Sequence, residues 1–166
     1  MSGHDSKVKA NHLEIEQSCM KDYEDLNEKE LRIHLAASYR LVEEFGWSFL
    51  IFGHLTARVP GPNKHFLINP YGLMYDEVTA SNLVKIDLEG NIIDQTNWDV
   101  NPAGFIIHSA VHSSKTDAHC VMHTHTNAGM AMAGLKKGLI NIDFSGSAYY
   151  KKIAYHDFEG VTIRKD

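Results

Sequence analysis

Cys120-Val121-Met122-His123-Thr124-His125-Thr126 is the stretch around which this chain is organised. Apolar Cys120, Val121 and Met122 predict a buried strand that runs into a polar end. His123 and His125 stand two apart, so on an extended strand both imidazoles share one face. Neutral imidazole is the commonest transition-metal ligand, which makes the pair candidate metal ligands. Zinc usually takes three or four ligands, so the pair alone completes no site. A hydrogen-bonded histidine pair at a strand edge is the alternative. From Asn127 through Leu135 the pattern predicts a helix. A strand end meeting a helix start is where open α/β sheets place ligands.

The rest of the composition narrows the class. A chain of 166 residues with 43% hydrophobic residues is expected to form one globular domain with a sizeable core. A net charge of −5 leaves no basic footprint for nucleic acid. No apolar run has transmembrane length, and the start carries no signal-peptide pattern. Cys19 and Cys120 lie far apart, which fits a reduced, cytoplasmic chain, with Cys120 a buried strand thiol. The 11 histidines are many for this length and gather between His108 and His125.

Residues 1–22 are polar and mixed and read as a mobile arm, with residues 23–166 as the domain. Leu31, Leu35, Tyr39 and Val42 form one apolar stripe at helical spacing, stopped near Gly46. Trp47 to Phe52 is a short apolar block. His54 to Val59 alternates, Pro60-Gly61-Pro62-Asn63 turns, and His65 to Asn69 resumes: an antiparallel hairpin. Leu83 to Leu88 and Asn91 to Asp94 around Glu89-Gly90 predict a second hairpin. After Asn101-Pro102 the pattern turns helical. His108 and His112, four apart, share a face of that helix. One packed and one solvated histidine is the expected reading of the pair, because the His-Glu-x-x-His context of a zinc protease is absent. The helix after His125 is expected to end near Lys136-Lys137-Gly138, with a short strand from Leu139 to Asp143 and a loop at Ser145-Gly146-Ser147. Lys152 to Tyr155 and Val161 to Arg164 read as two further strands. The order of elements predicts a mixed sheet with helices on its faces.

Several segments resemble the class II aldolase/adducin family, in order and without large gaps from about Glu30 to Val161. They are Phe45-Gly46-Trp47-Ser48, His54-Leu55-Thr56-Ala57-Arg58-Val59-Pro60-Gly61, His65-Phe66-Leu67-Ile68-Asn69-Pro70 and Glu77-Val78-Thr79-Ala80-Ser81. Asn101-Pro102-Ala103-Gly104-Phe105, His123-Thr124-His125-Thr126 and Ile153-Ala154-Tyr155-His156-Asp157 complete the match. The chain is most similar to the adducin-like branch. The resemblance implies an α/β fold: a three-layer α/β/α sandwich around a mostly antiparallel sheet. It also implies a C-terminally shortened domain with the last strand and closing helices missing, so that residues 23–166 make an incomplete domain.

In the aldolase and epimerase members a His-x-His strand supplies two zinc ligands and a downstream histidine the third. The resemblance thus implies a Zn2+ cofactor held by His123 and His125, with His54, His108 or His156 as the candidate third ligand. Zinc there polarises substrate oxygens while a glutamate moves protons. Three departures bear on activity, the last being that the Arg-Asn-His-Gly-like strand expected farther downstream to carry the third zinc histidine is not reached before Asp166. The segment that holds the family's glutamate after two serines reads Pro102-Ala103-Gly104 here, without an acid or the phosphate-binding hydroxyls. The asparagine of the Gly-Asn phosphate turn is matched by His54. Gly72 alone keeps its place in the second phosphate loop, so substrate-binding candidates reduce to Gly72 and His54. No catalytic residue is assigned; Glu77, Asp76 and Tyr75 are the acids at hand.

Two functions follow from the resemblance. One is an adducin-like domain, weakly active or non-catalytic, acting by self-association or protein binding. The other is a zinc-dependent aldolase-type lyase, epimerase or decarboxylase acting on a non-phosphorylated hydroxy-carbonyl substrate. A homo-oligomer is expected by resemblance. A cytoskeletal partner such as actin follows only by analogy with adducin, whose extended basic-ended tail has no counterpart in this sequence.

Overall fold

The computed structural model describes residues 22–140, 142–158 and 160. Four strands, β1 (His54–Arg58), β2 (Phe66–Ile68), β3 (Val84–Ile86) and β4 (Cys120–His123), form one antiparallel sheet in the order β3-β2-β1-β4. Helices α1 (Glu28–Glu44) and α2 (Pro102–Ser114) cover its two faces, and two short helices, α3 (Asn127–Ala133) and α4 (Phe144–Ser147), follow β4. The α/β/α layering expected from the resemblance is the observed architecture. No helix among the described residues is long and apolar enough to cross a membrane.

Helix α1 starts in a capping box: Glu30 N donates to Asn27 Oδ1 at 3.0 Å, and Asn27 N donates to Glu30 Oε2 at 3.1 Å. Its stripe of Leu31, Leu35, Tyr39 and Val42 is fully buried against Leu55, Ala57 and Leu67 of the sheet. The opposite face of the sheet offers Phe66, Ile68, Val84 and Ile86 to Phe105 of α2. The period-2 alternation of a strand divides the residues this way. In β1, Leu55 and Ala57 join the α1 core, which leaves His54, Thr56 and Arg58 to the α2 side. This one alternation positions the site.

Ion pairs tie α1 to the far side of the sheet. Lys85 Nζ of β3 lies 2.9 Å from Glu28 Oε2 and 3.4 Å from Asp94 Oδ1, and Arg32 bonds to both acids.

Several expectations need correction. Strand β4 is not buried: among the described residues it is the sheet edge, and Cys120 and Met122 are exposed. Cys120 and Met122 pair with Ala57 and Leu55 but lie outside the core that α1 covers, and apolar side chains alone do not show whether a second layer reaches them. Phe49, Leu50 and Phe52 of the apolar block are also exposed. His108 and His112 are both buried, neither being solvated, because α2 lies flat on the sheet at that turn. Helix α3 ends at Ala133, where Gly134 caps it, several residues before Lys136; glycine is a poor helix former. The second hairpin reduces to β3 and a single bridge, Ile86 with Ile92. Lys152 to Tyr155 and Leu139 to Asp143 contain no strand among the described residues, and Ile142 and Phe144 are 84% and 93% exposed. Apolar content by itself does not make a strand where no pairing forms among the described residues. Ser145-Gly146-Ser147 lies in α4, started by Asp143, whose Oδ1 accepts from Gly146 N at 2.6 Å. The arm and the strand expected at Val161 to Arg164 lie outside the described residues, apart from residue 22.

Candidate metal centre

Three histidines from three elements meet on the α2 side of the sheet. His54 opens β1, His108 sits in the middle of α2, and His123 ends β4 opposite His54 in the ladder. One ring nitrogen of each lies within 4.8 Å of the others. His54 and His108 are buried and His123 is half-buried. The His54 ring stands edge-on to His108, centroids 5.7 Å apart, and 5.8 Å from His123.

Electrostatics keep these rings neutral. Burial pulls His54 down to about 4, helped by the neighbouring charges His123 and His125 would carry. Burial pulls His108 to about 3, with His54, His123 and His112 adding to it. His123 is lowered by burial and then by His125. A neutral imidazole offers a lone pair without first losing a proton, the form that binds metal.

Hydrogen bonds settle where two of those lone pairs sit. Thr56 Oγ1 lies 2.8 Å from His108 Nδ1 and 2.9 Å from His112 Nε2. His108 Nε2 is buried with no hydrogen-bond partner among the described residues. Asn101 Oδ1 caps α2 by accepting from Ala103 N at 3.1 Å, so the Asn101 amide nitrogen is what faces His54 Nε2 at 3.3 Å. His54 Nε2 therefore accepts, and the ring proton sits on Nδ1, which is also buried and unpaired among the described residues. The buried, unpaired His108 Nε2 lone pair is costly and a bound cation would relieve it, whereas the His54 Nδ1–H calls for an acceptor. The donor set of imidazoles fits a borderline divalent ion such as zinc.

The other expected residues fall in different places. His125 lies beyond the end of β4, its ring 4.7 Å from His123 and stacked on Phe49 at 6.0 Å. His156 is exposed, with Nδ1 2.7 Å from the Asp157 carbonyl. The Glu77 carboxylate accepts from Met74 N at 2.7 Å at the surface, and Asp76 is exposed beside it. Tyr75 is buried against Tyr39, and its hydroxyl has no partner among the described residues. Burial and the nearby Glu43 charge push that phenol up to about 12. Gly72 occupies an exposed turn at φ +89°. Thr56 and Asn101 were not expected at the site, and His112 was expected only to share a helix face with His108; the alternation of β1 signals Thr56, and Asn101 is legible only as the cap before Pro102.

Gly104 explains the shape of the cluster. A Cβ there would lie 2.5 Å from His54 Nε2 and 2.6 Å from Cε1. The imidazole of His54 fills the space a side chain at position 104 would need. Gly104→Ala is expected to cost about 1–2 kcal/mol net through overpacking. In a His54→Ala background the same change should stabilise by about 1 kcal/mol through helix propensity. Urea unfolding of the double-mutant cycle measures this, and an unchanged sign would show that the two positions do not compete.

Residues 33–165 match the model of the class II aldolase and adducin N-terminal domain. The chain belongs to the class II aldolase and adducin family. It is similar to rat alpha-adducin, 48% identical over 144 residues that make up 86% of this chain and 20% of adducin. Among solved structures of the family, an aldolase II superfamily protein from Pseudomonas syringae superposes with a TM-score of 0.80 at 46% identity, covering 84% of this chain and 56% of that one. L-fuculose 1-phosphate aldolase from Glaciozyma antarctica superposes with a TM-score of 0.72 at 31% identity, covering 80% and 54%. The chain thus spans about half the length of these solved family members, and a fifth of alpha-adducin.

Proposed function

We propose that this chain is an adducin-like domain of the class II aldolase fold with little or no aldol chemistry, acting by self-association or by binding another protein. The observation that carries this reading is the contact between Gly104 and His54. A carboxylate at position 104 has no room while the His54 ring stands there. The neighbouring Pro102 and Ala103 supply no hydroxyl to a phosphate, and Pro102 supplies no N–H either. Protein contact is supported by exposed Phe49, Leu50 and Phe52, with the rings of Phe49 and Phe52 lying against His125.

Within this reading His108 and His123 hold a divalent metal, with His54 beside them. Zinc, when bound, would polarise a carbonyl or hydroxyl oxygen. His108 contributes a lone pair, and His54 holds a proton on Nδ1.

A second reading, a metal-dependent lyase for a non-phosphorylated hydroxy-carbonyl compound, is favoured by the unpaired His108 Nε2. The Tyr75 phenol, whose oxygen lies 2.5 Å from where a Cβ on Gly53, the residue before His54, would be, is then the candidate proton carrier. One assay separates the two. Purified chain with added Zn2+, Mn2+ or Co2+ is given hydroxy-aldehydes and hydroxy-ketones, phosphorylated and not. We expect no cleavage or epimerisation above that of His123→Ala. Metal-dependent turnover that disappears in His123→Ala would overturn the non-catalytic reading.

A further inference from the structure

The hydrogen bonds behind His108 form a chain whose direction is fixed at one end. His112 Nδ1 lies 3.1 Å from the carbonyl oxygen of Ala118. A carbonyl only accepts, so His112 Nδ1 carries the proton and donates. His112 is buried beside the Arg58 guanidinium, which donates to the His112 carbonyl. A second proton on that ring is therefore opposed both by burial and by charge. The neutral ring leaves Nε2 as an acceptor. Thr56 Oγ1, 2.9 Å away, must supply the hydrogen. A hydroxyl has one hydrogen to give, so toward His108 Nδ1, at 2.8 Å, the same oxygen accepts. His108 therefore carries its proton on Nδ1 and its lone pair on Nε2, the buried atom left without a partner among the described residues.

We propose that Thr56 and His112 are positioning residues that lock His108 in the tautomer presenting its Nε2 lone pair to the histidine cluster, ready for a divalent transition metal. All three side chains are essentially sealed from solvent, at 0% exposure for Thr56 and His108 and 1% for His112. Water cannot substitute for a missing link. A metal-ligating imidazole is held in place by what its other nitrogen touches. Here that partner is a neutral hydroxyl, which is in turn oriented by a second imidazole and a backbone carbonyl. The metal part of the inference rests on the reading that the cluster binds metal; the tautomer part does not.

The test uses the whole chain, labelled with 15N and held metal-free by chelator. Long-range 1H–15N correlation spectra assign the tautomer of each histidine. His108 and His112 are both expected in the Nδ1–H form, and either one in the Nε2–H form in the wild type overturns the proposal without any variant. Thr56→Val should release His108 into a mixture of tautomers, and Thr56→Ser should restore the single form. A His108 that keeps one Nδ1–H tautomer in folded Thr56→Val also overturns it. Titration with Co2+ alone, followed by its visible absorption, is the second readout. Affinity should fall about tenfold or more in Thr56→Val and recover in Thr56→Ser. A wild-type chain that shows the tautomer lock and binds no Co2+ would sink the metal reading and leave the positioning roles standing.

Discussion

Lowering the pH from 7 to 5 in the presence of chelator should strip about 5–6 kcal/mol from the stability of this domain. His54, His108 and His112 are buried as neutral rings, with folded values of about 4, about 3 and about 4. For each the first cause is burial, with neighbouring histidines adding for His54 and His108 and the Arg58 charge adding for His112. An unfolded histidine titrates near 6.5. Between about 6.5 and about 4 the unfolded chain therefore binds more protons than the folded one, and stability rises with pH. The stabilisation is fully present above the unfolded value and is lost as the pH falls through that window. Each histidine accounts for about 2 kcal/mol by pH 5. Few carboxylates titrate so high, so the window isolates the histidines. A domain of this size has about 5–15 kcal/mol in total, so unfolding near pH 5 is the expected outcome. Urea midpoints collected from pH 7.5 to 5 measure it, and a flat profile would mean the three rings are not buried as neutral groups.

Tyr39→Phe should cost about 2–4 kcal/mol, a large effect for removing one oxygen atom. Tyr39 is fully buried in α1 under the sheet. Its hydroxyl accepts from Leu55 N at 2.8 Å and has Leu55 O at 2.7 Å and Asn69 Oδ1 at 2.9 Å as acceptors. The ladder between β1 and β2 covers only Ala57 and Arg58. Leu55 has no strand partner on that side, and a tyrosine from the helix takes the place of one. Phenylalanine keeps the shape and leaves a buried amide and its carbonyl unpaired, each a loss of about 1–3 kcal/mol. Leu55 follows His54 directly, so the same change should also broaden the resonances of the histidine cluster. Chemical unfolding beside Tyr71→Phe, at an exposed position with little to lose, makes the comparison. A loss below about 0.5 kcal/mol would show that water or another group reaches Leu55.

What was legible in the sequence was what local periodicity carries. The stripe of Leu31, Leu35, Tyr39 and Val42 named the buried face of α1 because helical spacing by itself puts those residues on one side. The hairpin of β1 and β2, the start of α2 at Pro102 and the strand at Cys120 were readable for the same reason. The family followed from short segments that keep their order along the chain. Burial of β4 was not readable, since a strand does not record whether a neighbour lies on each side of it. The apolar residues from Leu139 to Tyr155 suggested strands, and among the described residues none of them pairs with the sheet.

The histidine cluster lies at the boundary between the two kinds of information. Residue spacing alone puts His108 and His112 on one helix face and sets His123 beside His125. It could not determine that β1 brings His54 and Thr56 under that helix. Thr56 and His108 are 52 residues apart in sequence, and only the packing of α2 on the sheet makes them neighbours. Gly104 reads in the sequence as the loss of an acid. Tertiary structure shows in addition that His54 occupies the vacated volume, because side chains on facing elements must share one close-packed space.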